Sequence, residues 1–199
     1  MNMRTAPFLL GLLLLTPGRG LAADDFKPES GFVSLFNGKD LTGWCYTDGN
    51  KPDGAITDKF DGKIESSDAR YSAGNEALIV HPKTPRLISK MWTVQQFPKD
   101  FVLRLEFRAT YNADSGIYVR GPQLQCRDYL VAGPYKQLKK YRPQDWNEIE
   151  IVVTGGVARC TCNGEVVEEA MKVTATGPIG LEGDRGMMEY RRIRIKELP

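Results

Sequence analysis

The chain has 199 residues, 41% hydrophobic and 26% charged, which suits one domain with a full core and excludes a disordered chain. A single His excludes zinc sites built on paired imidazoles. The formal charge of +2 lies in Arg4 and Arg19; beyond residue 22 bases and acids balance, so nothing draws the chain to nucleic acid.

In chain order, a basic start (Met1–Arg4) leads into the apolar run Phe8-Leu9-Leu10-Gly11-Leu12-Leu13-Leu14-Leu15 and then Gly20-Leu21-Ala22. The run is too short to span a bilayer, which takes about 20 apolar residues. It reads as a signal peptide over 1–22, cleaved after Ala22, so the expected product is an exported, periplasmic or extracellular single domain over 23–199 with no membrane span. Residues 32–36 are the first strand candidate. Residues 47–75 are rich in Asp, Gly, Asn and Ser and read as a long surface loop at the mouth of a site. Strands are expected at 77–80 and 87–92. In Phe101-Val102-Leu103-Arg104-Leu105-Glu106-Phe107-Arg108, strict alternation sends the apolar residues inward and Arg104, Glu106 and Arg108 outward. The same parity holds in 115–120, with Tyr118 and Arg120 outward. It holds again in 123–127, with Gln123, Gln125 and Arg127 outward.

A weak helical turn is expected at 134–141, and strands at 148–153, 157–162, 165–168 and 178–181. Asn163-Gly164 is a two-residue hairpin signal. In the last candidate, 188–195, Met188 and Tyr190 have one parity and Ile193 and Ile195 the other, which predicts a bulge near Arg191 or Arg192. Many short strands broken by Gly, Pro and Asn argue an all-β sandwich or jelly roll. If the three alternating strands are neighbours, Glu106, Arg108, Tyr118, Arg120, Gln123 and Gln125 line one surface suited to sugar hydroxyls. Cys45, Cys126, Cys160 and Cys162 are an even set in an exported chain, which favours disulfides of open connectivity.

Gly31-Phe32-Val33-Ser34-Leu35-Phe36-Asn37-Gly38-Lys39-Asp40-Leu41-Thr42-Gly43-Trp44 resembles the opening of the 3-keto-disaccharide hydrolase family, also described as 3-keto-glucoside lyases and 3-keto-2-hydroxy-glucal hydratases. The resemblance continues through residues 100–108 and Asp114-Ser115-Gly116-Ile117-Tyr118-Val119-Arg120-Gly121. It closes with Trp146-Asn147-Glu148, Gly177-Pro178-Ile179-Gly180-Leu181 and 190–195. It implies a concanavalin A-like jelly roll of two antiparallel sheets, acting on oxidised glycosides outside the cytoplasm. A ketone at C3 acidifies the adjacent C–H, so a carboxylate can remove that proton, fixed donors or a metal can hold the enolate, and the glycosidic oxygen then leaves.

On this reading Glu106 is the acid–base candidate and Arg120 the charge stabiliser. Arg108, Tyr118, Gln123 and Gln125 orient hydroxyls, with Asp128, Tyr135 and His81 as further substrate contacts and Asp114 a weaker one. No cofactor is specified, and a divalent metal is left open. Pro122-Gln123-Leu124-Gln125 stands where the family carries an acid. Glu182-Gly183-Asp184-Arg185-Gly186 stands where many members carry a His. The alternatives are a carbohydrate-binding module without catalysis and a retaining glycosidase using Glu148 and Glu150.

Overall fold

The computed structural model describes residues 26–131 and 133–199; the expected signal peptide lies outside them. Fourteen strands follow in order. The first seven are β1 (Val33–Ser34), β2 (Trp44–Thr47), β3 (Ile56–Lys59), β4 (Tyr71–Gly74), β5 (Ala77–Val80), β6 (Ser89–Thr93) and β7 (Phe101–Ala109). The rest are β8 (Asp114–Val119), β9 (Gln123–Arg127), β10 (Asn147–Thr154), β11 (Val157–Cys162), β12 (Glu165–Lys172), β13 (Ile179–Gly183) and β14 (Met188–Glu197). Among the described residues no helix is long and apolar enough to cross a membrane.

The strands form two antiparallel sheets. The larger has eight strands in the order β12-β11-β10-β7-β14-β5-β4, with β1 also on β14; the smaller has six, in the order β3-β2-β6-β13-β8-β9. Their apolar faces meet in one core. Phe101, Leu103, Leu105 and Phe107 of β7 and Ile149, Ile151 and Val153 of β10 pack there with Ile117, Val119, Leu124, Ile179 and Leu181 of the smaller sheet. This is the all-β sandwich expected from the strand pattern, in the concanavalin A-like jelly-roll form that the family resemblance implied.

Local chemistry fixes the details. Asn163 and Gly164 turn β11 into β12 with φ of 48° and 80°, the left-handed pair that matches strand twist. On β14 the register slips between Arg191 and Arg194 and Arg192 takes φ 51°, the bulge that the parity change required. Because two residues there oppose one, Arg191 and Arg192 both reach Glu106, each at 2.7 Å. Residues 134–141 form turns and bends rather than a helix, and their tyrosines dive inward. The stretch 47–75 is not all loop: β3 and β4 lie within it, too short and polar to show as alternation.

The outer face of the larger sheet is a lattice of ion pairs: Arg104 with Glu150 at 2.7 Å, Arg108 with Glu189 at 2.6 Å, and Arg191 and Arg192 with Glu106. Buried Arg194 holds Glu29 at 2.7 Å. Hydrogen bonds from Arg194 lower the Glu29 carboxyl from the ordinary 4.5 to about 2. A lowered folded pKa means that this contribution is full above the unfolded value and is lost only as pH falls toward about 2. The Glu29 carboxyl resonance is therefore expected to titrate well below pH 4; a midpoint in the ordinary range would show the tie to be absent.

All four cysteines are free and buried, so the expected disulfides are not formed. Cys126, Cys160 and Cys162 point into the core, whereas Cys45 lies with Trp92 and Tyr118 on the far side of the smaller sheet. The sheet thus separates Cys45 from the other three. Burial pushes the Cys45 thiol up to about 11 and those of Cys160 and Cys162 up to about 12, so none is a ready nucleophile.

Candidate functional site on the outer face of the smaller sheet

The residues expected to share one surface are divided between two. Strand β7 belongs to the larger sheet and β8 and β9 to the smaller, so Glu106 and Arg108 face away from Tyr118, Gln123 and Gln125. Alternation reports the face of a strand but not its sheet. Glu106 is also held by two guanidiniums, which suits a strut better than a base. Glu106→Gln is accordingly expected to leave the site on the smaller sheet intact, and ligand titration followed by NMR would show unchanged shifts there.

Other expected contacts are each engaged by neighbours within the fold. Asp128 is buried (2% exposed) and accepts bonds from the Asn112 N–H at 3.1 Å, Gln144 at 3.2 Å and Tyr141 at 3.3 Å. Tyr135 is buried, donates to Glu168 and packs edge-on against Tyr129. His81 bonds Ser72 at 2.8 Å beside the edge strand β4 and its neighbour β5. Arg120 does not stand out from the sheet. With φ 56° it follows directly after β8, lies over the Phe101 ring and donates to the carbonyls of Lys99 and Thr174. Glu148 and Glu150 belong to the ion-pair lattice.

What the smaller sheet does bring together centres on Glu182. In β13, Ile179 and Leu181 enter the core, so Gly180 and Glu182 face outward. Glu182 lies opposite Lys90 in the register with β6, and Gly180 lies between Trp92 and Tyr118. Two glycines make room. A Cβ at Gly180 would fall 2.5 Å from Cε3 and Cζ3 of Trp92, and one at Gly116 would fall 2.0 Å from Nε2 of Gln123. The indole therefore lies flat across β13. The Gln123 amide lies across β8 to reach Glu182.

The Glu182 carboxylate accepts from the Tyr118 hydroxyl at 2.7 Å and from Gln123 Nε2 at 3.1 Å. Only 6% of the residue is exposed. Burial, aided by neighbouring Asp184, raises its pKa above the usual carboxylate range against the opposing pull of the Tyr118 hydrogen bond and Lys90. Lys90 Nζ sits 4.8 Å from the centre of the Tyr118 ring, and Tyr118 meets Trp92 edge-on at 5.3 Å.

The surroundings hold this group in place. Asp184 is fixed by Arg86, whose Nη2 lies 2.5 Å from Oδ2. Fully buried Arg70 ties the carbonyls of Asp184 and Leu87 together, each at 2.9 Å. Asp114 accepts from Gln125 at 2.5 Å and pairs with Arg127 at 3.3 Å, so Gln125 is held by Asp114 and not by Glu182. Among the described residues no group of three or more His, Cys, Asp or Glu is arranged to hold a metal ion.

The sequence expectation missed Glu182, Lys90 and Trp92. Glu182 stood in plain view as the acid two residues past Gly180, sharing its outward parity in an otherwise apolar strand.

The sequence model of the 3-keto-alpha-glucoside-1,2-lyase-like domain matches residues 31–196. The chain belongs to that family. No curated protein matches it by sequence. Among solved structures, a candidate glycosyl hydrolase from Parabacteroides distasonis superposes with a TM-score of 0.62 at 16% identity, covering 85% of this chain and 94% of that one. A second from the same organism gives 0.54 at 18% identity, covering 67% and 93%. The carbohydrate-binding module CBM66 of Bacillus subtilis gives 0.53 at 9% identity, covering 83% and 100%. At such identities these likenesses establish the shared jelly roll. For a 3-keto-alpha-glucoside-1,2-lyase-like domain, a buried, uplifted carboxylate beside a lysine on the outer face of the smaller sheet is the arrangement to explain.

Proposed function

We propose that the protein is an exported carbohydrate-active enzyme that cleaves 3-keto-glucosides, with Glu182 as the acid–base residue. Family membership supports the substrate class. The observation that carries the residue assignment is the Glu182 carboxyl, buried, uplifted and set among Tyr118, Gln123 and Lys90.

The chemistry follows. The C3 ketone acidifies the C2–H. Glu182 takes that proton, and the C–H electron pair moves toward the ketone to give an enolate. The Lys90 ammonium and the Gln123 amide supply fixed positive charge and a donor for the enolate oxygen. Return of the electrons expels the oxygen at C1, which leaves as an alcohol after taking a proton, with Tyr118 the hydroxyl at hand. The product is a 2-hydroxy-3-keto-glucal. Addition of water at C1 and return of the proton to C2 complete a net hydrolysis. A carboxyl whose pKa is raised by burial holds a proton more readily than an ordinary one, which suits a group that must both accept and return it.

A binding module without catalysis is the second reading, favoured by the shared fold with CBM66. Incubating the protein with 3-keto-disaccharides and their unoxidised parents separates the two. Release of sugar from the oxidised set alone supports the reaction; binding of both sets without release supports the module.

A further inference from the structure

Two residues past Glu182, just beyond the end of β13, stands a second carboxylate, Asp184. Two residues of extended chain span about 6.6 Å, and Asp184 is close enough for its charge to oppose ionisation of Glu182. Both residues are buried, at 6% and 5% exposed. Carboxylates so placed work against each other, because each disfavours the charge of the other. Asp184, however, is not bare. Arg86, in the segment between β5 and β6, donates from Nε to Oδ1 and from Nη2 to Oδ2, the latter at 2.5 Å.

This pairing is separable from the packing around it. The Arg86 side chain is 56% exposed, and the backbone on both sides is already fastened by Arg70, which donates to the carbonyls of Leu87 and Asp184. A two-pronged contact that the fold does not need for anchorage is left with an electrostatic task. The hydrogen bond to Asp184 raises the Arg86 pKa most, and the charges of Asp184, Asp114 and Glu182 add to it. The other groups facing Glu182 are Lys90 from β6, Tyr118 from β8 and the neutral amide of Gln123 from β9, with the Tyr71 hydroxyl of β4 on the Leu181 carbonyl. Among the described residues Arg86 is the cation that pairs with Asp184.

We infer that Arg86 is a positioning residue of the reaction that acts through Asp184: its guanidinium balances the second carboxylate, so that Glu182 faces a neutral pair rather than a bare anion. Without Arg86, the Asp184 charge would keep the proton on Glu182 to higher pH, and less of the protein would hold the base form that takes the C2 proton. The inference rests on Glu182 as the acid–base residue for its effect on turnover. Its effect on the Glu182 charge rests on the geometry alone.

The test reads the Glu182 carboxyl by 13C NMR titration in wild type, Arg86→Met, Arg86→Lys and Asp184→Asn, so it does not need turnover. Arg86→Met is expected to move the Glu182 midpoint up by about one pH unit, the size of a nearby like charge partly screened by water. Arg86→Lys should restore most of that shift. Asp184→Asn should move the midpoint down, since it removes the repulsion and leaves Arg86 facing Glu182. The pH–rate profile on a 3-keto-glucoside should follow the midpoint in each variant, with KM little changed. A midpoint unmoved in Arg86→Met overturns the inference and leaves the reaction standing. If Arg86→Met does not fold, a midpoint unmoved in Asp184→Asn overturns it in the same way. Midpoints that shift as expected, with turnover that survives Glu182→Gln, overturn the reaction and leave the charge effect.

Discussion

Glu182→Gln is expected to lower turnover of 3-keto-glucosides by about 10²–10⁴-fold, the usual span for a general acid–base group, with little loss of ligand affinity. Gln keeps the volume and can still accept from Tyr118, so the site should hold its shape while losing its proton acceptor. The wild-type rate should rise with pH through the Glu182 ionisation, above the ordinary carboxylate range. The stability effect has the opposite sense. A raised folded pKa means that the folded protein keeps this proton longer than the unfolded chain. Stability from the protonated form is thus present below the unfolded pKa and is lost as pH rises through the folded one. Glu182→Gln should therefore melt at or above the wild-type temperature near neutral pH. A variant that melts earlier and binds poorly would make Glu182 a structural residue.

Gly180→Ala should cost about 1–3 kcal/mol of stability, the range for forcing atoms into a packed site, and should also impair the reaction. The new Cβ would meet two ring carbons of Trp92 at 2.5 Å, and the indole is wedged between Cys45 and Tyr118, so it must lift from the sheet. Tyr118 loses its edge contact, and with it the placement of the hydroxyl that reaches Glu182. Denaturant unfolding gives the stability change, and near-ultraviolet circular dichroism reports the displaced indole. Adding Trp92→Leu should recover part of the loss, because the clash disappears with the ring. An unchanged dichroism spectrum in Gly180→Ala would show that the indole does not rest there.

Much of the fold was legible because its signals are local. The alternation of Phe101–Phe107, the Asn163-Gly164 turn and the parity change near Arg192 each follow from backbone geometry within a few residues. Strands β2, β3 and β4 were not, since four residues beside or within a turn-rich polar stretch carry too little pattern. The site was half legible. Tyr118 and Gln123 were correctly placed facing outward, but Glu106 was joined to them because the sheet to which a strand belongs depends on long-range pairing. Glu182 was passed over because it sits among glycines, whose meaning appears only once Trp92 and Gln123 are seen lying over them. An even number of cysteines suggested staples, yet Cys45 faces the opposite side of its sheet from the other three.

The most direct test follows deuterium entering C2 of a 3-keto-glucoside in heavy water by NMR, with wild type, Glu182→Gln and Glu106→Gln compared. Exchange by wild type and Glu106→Gln, but not by Glu182→Gln, is the predicted result. Exchange at the wild-type rate by Glu182→Gln, or its loss in Glu106→Gln, would contradict it.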